Sequence, residues 1–413
     1  MSKKTLIIII LVVAVLGAGG WAYYSLFMKQ GTPLTPTNSV ANSGNSSPTS
    51  FPTSDQNSST QNTSSTASKN SAVDDSPSVV QINAGSQALV HITNEPVSGF
   101  TLVAGVATTS PTIRYVEQKS GHIFNVDLGN YIQNRISNTT LPNITEALFT
   151  AKGDQGIYRY LKENTETIES YFFKLSTSSL AAGYFLPEDI RSIAVSPSGA
   201  KIFYITENGS GAQGIVDNRD TNKKSTVFSS VFSDWTVGWP SDATVVLTTR
   251  PTSGSAGYLY FLNPATGSLK AILSGINGLT ALVNSDASSV LFTDNTNSLS
   301  SYSVKTSKST SLGLYTLPEK CVWSKRDKNI AYCGASMQSL FGNFPDDWYQ
   351  GLFSFSDNLY KVNTSTGTTS LIADMNATYS QNLDIVNPAL SANEKYFIFK
   401  NKTDGTLWSI KLP

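Results

Sequence analysis

From about residue 88 onward the chain is built of short apolar runs, bounded by turn residues, that recur in groups at a near-constant interval. The groups open at Phe100-Thr101-Leu102-Val103, Glu146-Ala147-Leu148-Phe149, Ser192-Ile193-Ala194-Val195 and Trp235-Thr236-Val237-Gly238. They continue at Thr280-Ala281-Leu282-Val283, Cys321-Val322-Trp323-Ser324 and Asp384-Ile385-Val386-Asn387. Successive openings lie about 41–46 residues apart, with one longer final step. No long segment carries the 3.6-residue apolar period of an amphipathic helix. A four-stranded unit of ~40–45 residues cannot bury its apolar faces alone. Packing such units side by side around an axis buries them, so the pattern predicts an all-β, about seven-bladed β-propeller.

The groups share an internal grammar. In the third, a strand over 191–196 meets the turn Pro197-Ser198-Gly199 and a second strand over 201–206. The fourth shows the other half: a strand over 257–262, the turn Asn263-Pro264-Ala265-Thr266-Gly267, and a strand over 268–273. The sixth ends alike, with Asn363-Thr364-Ser365-Thr366-Gly367 between 359–362 and 368–373. Glycine at these turns supplies the positive φ that a tight reversal needs.

Ser196-Pro197-Ser198-Gly199-Ala200-Lys201-Ile202-Phe203-Tyr204 resembles the S-P-D-G-K-x-I-x-Y turn of TolB-like and WD40-like propellers. Asn358-Leu359-Tyr360-Lys361-Val362-Asn363, followed by Thr366-Gly367, is similar to their L-Y-x-x-D-x-x-T-G half. The resemblance covers roughly residues 88–413, without the G-H and W-D pairs of eukaryotic WD40 repeats. The whole arrangement also resembles membrane-anchored propellers of reduced-genome, candidate-phyla bacteria. These likenesses imply a fold and a bacterial setting, and no activity, because propellers host many functions.

The last group stops one strand short, ending at Pro413 after strands over 384–387, 396–400 and 407–412. The orphan run Ala88-Leu89-Val90-His91-Ile92 is the expected donor of the missing strand. Closing the ring in this way protects its edges.

The first thirty residues are of a different kind. Lys3 and Lys4 precede an apolar run that starts at Leu6 and ends in Trp21, Tyr23, Tyr24 and Phe27, with no charge from Thr5 to Met28. About 20 helical residues span a bilayer core of ~30 Å. The two lysines belong inside and the aromatics at the outer interface. A cleaved signal peptide cut near Gly20 or Ala22 is the competing reading; the apolar run extends past that cut, unlike a typical signal. Residues 1–4 are therefore expected as a cytoplasmic tail and 5–28 as a transmembrane helix contacting the lipid bilayer. Residues 29–79 read as a disordered Ser/Thr/Asn-rich linker, because such a stretch cannot bury enough apolar surface to order itself. Residues 80–413 then form an extracytoplasmic propeller on a single-pass, N-in cell-membrane protein.

Charge is balanced, 29 Lys+Arg against 29 Asp+Glu, so the basic excess of a nucleic-acid binder is absent and no nucleic-acid partner is expected. With His91 and His122 as the only histidines, neither a histidine base nor a histidine-rich metal site is expected, and no cofactor is implied. Cys321 and Cys333 would lie opposite each other in a hairpin centred on Asp327, within reach of a disulfide in an oxidising compartment. Two free buried thiols, or a redox role, are the other readings; eleven intervening residues do not make the C-x-x-C of a redox pair.

The sixth group is interrupted by about twenty extra residues, around 335–356. They include Met337 and Pro345-Asp346-Asp347-Trp348-Tyr349. Carboxylates beside large aromatics on a loop of a rigid scaffold suit partner binding, so Asp346, Asp347, Trp348 and Tyr349 are the candidate contact residues. The competing reading is a short helix whose rings pack on the propeller. No catalytic constellation is apparent. The chain reads as a binding or scaffolding module for envelope proteins or glycans. The alternative is a glycan-acting enzyme using carboxylates in the propeller funnel.

Overall fold

The computed structural model describes residues 79–82, 88–103, 110–163, 165–175 and 180–413. The expected membrane helix at 5–28 and nearly all of the linker lie outside the described residues. Among the described residues no helix is long and apolar enough to cross a membrane.

Seven antiparallel sheets succeed one another along the chain, one for each sequence group. Their first strands are Val97–Val103, Ile144–Phe149, Ile190–Val195, Trp235–Ser241, Thr280–Val283, Cys321–Trp323 and Ile385–Leu390. We number the sheets blades 1 to 7 in this order. First strands touch from blade 1 through blade 4, and again from blade 6 through blade 7 back to blade 1. The second strand of blade 4 touches the first of blade 5, and the turn Pro318–Lys320 leading into blade 6 packs on that same strand, so the ring is closed. Each interface between neighbouring blades holds its own apolar cluster. Between blades 3 and 4, for example, Phe203, Phe228, Trp235 and Leu247 pack together. Equivalent clusters fill the other six interfaces. Alternation along each strand supplies these residues: one face of every sheet packs on the blade before it, the other on the blade after.

The expected turn chemistry is present. Gly199, Gly267 and Gly367 have φ of 77°, 74° and 74°. Asn263 accepts from the amides of Ala265 and Thr266, and Asn363 accepts from those of Ser365 and Thr366. One Asx turn is therefore reused in different blades, which is why the sequence grammar was visible.

Closure follows the expected route. Leu89–His91 pairs with Leu407–Lys411, setting Leu89 opposite Ile410, Val90 opposite Ser409 and His91 opposite Trp408. The His91 and Trp408 rings stack at 4.2 Å. Val79–Gln81 was not expected as a strand. It pairs with Ile132–Arg135 and gives blade 1 a fifth, outermost strand. The N-terminal approach thus covers the outer edges of both blades that flank the closure.

Strands within a blade alternate in direction. The start of each first strand and the end of each second strand therefore share one side of the ring, here called the front face. The blade 6 connection between Ile330–Ala335 and Asn358–Asn363 lies on this side. The opposite, rear face carries short turns such as 196–200 and 263–268.

Candidate functional site: the capped front face

Blade 6 is pinned at its first hairpin. Cys321 pairs with Cys333, and the two form a disulfide with Cα atoms 4.1 Å apart. Immediately before this strand a short 3-10 turn, Pro318–Lys320, delivers Lys320 into the interior, fully buried. A buried ammonium is tolerated only when paired and hydrogen-bonded. Lys320 Nζ meets Asp357 Oδ2 at 2.6 Å, contacts Asp384 Oδ1, and donates to the Ile385 carbonyl at 3.0 Å. Asp357 closes the insertion, and Asp384 opens blade 7, so three separate elements converge on one cation. The Lys320 ammonium also lies 4.4 Å from the Phe355 ring centre.

Asp384 gathers further donors. Trp348 Nε1 donates to its Oδ2 at 2.9 Å, the Phe355 amide donates at 3.1 Å, and the Asp384 amide itself donates to Asn401 Oδ1 at 3.0 Å. Asp357 Oδ2 accepts from the Ile385 amide at 2.7 Å, while its buried Oδ1 has no hydrogen-bond partner among the described residues. Burial pushes the Asp357 carboxyl up to about 6; Lys320 opposes the rise and the neighbouring Asp384 adds to it.

These contacts settle where the sequence candidates sit. Trp348 lies in a short helix, Asp346–Tyr349, and is 3% exposed. Its ring packs with Leu317, Phe344 and Phe355 in an apolar cluster beneath the insertion, and the Lys402 ammonium lies 4.9 Å from its centre. A partner does not reach this ring unless the insertion moves. Tyr349 is 44% exposed, and its hydroxyl donates to Glu319. Partial burial, reinforced by the Glu319 charge beside the hydroxyl, raises the phenol well above its usual range. Asp346 crosses to blade 4: its Oδ2 accepts from the Ser253 amide at 2.6 Å, from the Ser253 hydroxyl, and from Thr252 at 3.2 Å. Burial alone would raise this carboxyl, but the hydrogen bonds from Ser253 and Thr252 outweigh it and hold it below the usual range. Asp347 stays local, accepting from the Asn343 amide at 2.8 Å. Adjacent in sequence, the two aspartates act apart, one bridging blades and one folding the loop.

The insertion thus lies across the front face from blade 6 to blade 4. Beneath its edge is a cavity of about 750 Å³, lined by Asp346, Tyr349 and Gln350 on one side and by Arg159, Asp189, Arg191, Asp234 and Arg250 on the other. Sequence reasoning found the insertion but missed Lys320, Asp357 and Asp384. In the sequence they are three ordinary charges scattered over 65 residues, with no local signal of burial. Among the described residues no three His, Cys, Asp or Glu side chains gather as metal ligands would.

The fold has many relatives among solved structures. Oligogalacturonate lyase from Vibrio parahaemolyticus superposes with a TM-score of 0.54 at 9% identity, over 82% of this chain and 97% of its own. The propeller domain of the Trilobed protease from Pyrococcus furiosus gives 0.50 at 12% identity, over 76% and 95%, and is described as having an open velcro topology. TolB from Acinetobacter baumannii gives a looser 0.42 at 12% identity, over 67% and 63%. No protein-family model matches the chain, and no curated protein matches it by sequence. At such identities the likeness concerns architecture alone. The chain is a seven-bladed β-propeller, closed by a strand from before its first blade.

Proposed function

We propose that this chain is a membrane-anchored, extracytoplasmic binding or scaffolding module whose partners, envelope proteins or glycans, meet the front face. The observation that carries this reading is an asymmetry between the two sides of the ring. Val231, Phe232, Met337, Phe341 and Leu352 stand at 82%, 66%, 62%, 93% and 73% exposure, all on front-face connections. Leu161, Ile168 and Tyr349 join them there. At the rear turns Leu269 is the exposed large apolar side chain among the described residues. Apolar surface gathered on one side of a soluble scaffold marks an interaction face.

Two further features support the reading. The clamp at Lys320 holds the insertion in place before any partner arrives, which lowers the ordering cost of binding. The Cys321–Cys333 disulfide suits an oxidising compartment, consistent with a propeller held outside the cytoplasm by the 5–28 segment. Against acid–base catalysis by the insertion stands the use of Asp346 and Asp347 as hydrogen-bond acceptors within the fold.

The test is a photocrosslinker placed at Tyr349 in intact cells. Capture of a defined envelope component supports the reading; capture of nothing beyond what a crosslinker on the rear face takes removes it. Protease added to intact cells should release a soluble fragment of about residues 80–413. Protection until the membrane is lysed would show the opposite orientation.

A further inference from the structure

Two cavities adjoin on the front face, and their chemistries differ. The first, of about 750 Å³, is the one beneath the insertion, with Glu166, Asp189 and Asp234 on its wall. The second, of about 930 Å³, is walled by Phe228, Phe232, Trp235, Tyr258 and Tyr260, and runs from the front face along blade 4 as far as Leu269. Asp234, Trp235, Arg250 and Asp346 line both. One trough therefore runs from an acid-walled half into an aromatic half. Each half is in the size range of ligand pockets.

We propose that this trough binds an extended polypeptide segment in which a lysine or arginine stands beside a bulky apolar residue. This assignment rests on the reading of the front face as a binding surface and names its partner class. The argument begins with charge. Of the arginines in the acid-walled half, Arg159 is neutralised by Glu146 at 2.7 Å and Arg191 by Glu207 at 2.9 Å. Glu166, Asp189 and Asp234 have no ion pair among the described residues; of the cations on that wall, only Arg250 is likewise unpaired. Asp346, held below the usual carboxylate range, stays ionised and adds to the excess. The field inside the trough is therefore negative, and a concave wall focuses it on an incoming cation. An anionic segment is repelled there, and a neutral saccharide gains nothing from that excess.

The aromatic half supplies the second requirement. Phe232 stands at the rim, 66% exposed, and Trp235 is fixed by donating its Nε1 hydrogen to the Phe232 carbonyl at 2.9 Å. Trp235 also packs edge-on to Phe228 and Tyr260. A rigid aromatic wall with one exposed ring at its lip suits an apolar anchor and rewards its burial. Because both halves share Asp234 and Trp235, the two groups they accept must be close neighbours on one ligand. Neighbouring side chains of one peptide segment offer such a pair.

The test uses the purified full-length protein in detergent and four probes: a labelled decapeptide with Lys-Phe at its centre, its Glu-Phe and Lys-Ser counterparts, and chitohexaose. Lys-Phe should bind at least about tenfold more tightly than the other three and weaken as salt is raised. The double variant Asp189→Asn/Asp234→Asn and, separately, Phe232→Ser should each lose about tenfold in affinity with unchanged melting, because all three residues are exposed. Equal or tighter binding of Glu-Phe or chitohexaose overturns the assignment. So does Lys-Phe binding that ignores both variants, or no Lys-Phe binding at all. If the crosslinker at Tyr349 still captures a partner while the peptide series fails, the binding-module reading stands and this assignment alone falls.

Discussion

Blades 7 and 6 each carry an addition to the repeat, and the two additions are held by opposite means. The closing strand Leu89–His91 is held by its backbone: it completes a ladder with Leu407–Lys411, and flanking bonds from Ile92 to Leu407 and from Lys411 to Ala88 extend it. The insertion of blade 6 is held mainly by side chains: Asp357 and Lys320 with Asp384, Trp348 with Asp384, and Asp346 with Ser253. A ladder asks only for extended residues with the correct alternation. A clamp asks for particular atoms in particular places, and one missing partner leaves charges buried and unpaired. The first kind of attachment is generic; the second is specific to this chain.

The sharpest way to break that contrast is to remove the closing strand. A chain lacking residues 1–78 should melt like the full propeller. One lacking residues 1–92 should lose cooperative unfolding, because an open blade 7 exposes a strand edge and the apolar cluster around Val90 and Ile92. Matching thermal transitions for the two would refute closure as a determinant of stability.

The clamp should yield next. Asp384→Ala leaves Lys320, Trp348 Nε1 and the Phe355 amide without their shared acceptor, and denaturant titration should show a loss of about 3–5 kcal/mol. A loss under about 1 kcal/mol would mean that water replaces the carboxylate and that the insertion rests on apolar packing instead. The disulfide is a weaker tie, since the hairpin around it already pairs through its backbone. Replacing both cysteines by alanine should cost about 2–3 kcal/mol for a loop of this length, with the insertion still docked.

The smallest effect concerns pH. Burial raises the Asp357 carboxyl to about 6 in the folded chain, above its ordinary value of 3.8. The folded state then holds this proton more tightly than the unfolded state does. Local stability at the clamp should therefore rise as pH falls from above 6 towards 4, the reverse of a salt-bridged carboxylate whose value is depressed. His91, whose value is lowered by burial, opposes this globally by losing stability below its ordinary range. The readout is thus amide exchange at Phe355 and Ile385, which should slow on mild acidification in the parent and show no such trend in Asp357→Asn. Faster exchange at lower pH, after correction for intrinsic rates, would show that protonating Asp357 does not tighten the clamp.

What the amino-acid sequence determined by itself was everything that repeats or pairs locally. The group spacing set the number of blades, Asn and Gly at fixed offsets set the turns, and the orphan run before the first group pointed to the closure, because each is a repeat, or a gap in a repeat, that can be read along the chain. Cys321 and Cys333 were legible for the same reason, lying opposite each other across one hairpin. The tertiary structure alone decided which way the insertion rings point, that Lys320 is buried, and that Glu166, Asp189 and Asp234 face one trough from different blades. Those outcomes depend on contacts between residues far apart in sequence. A lysine destined for a buried clamp reads, letter by letter, like one destined for solvent.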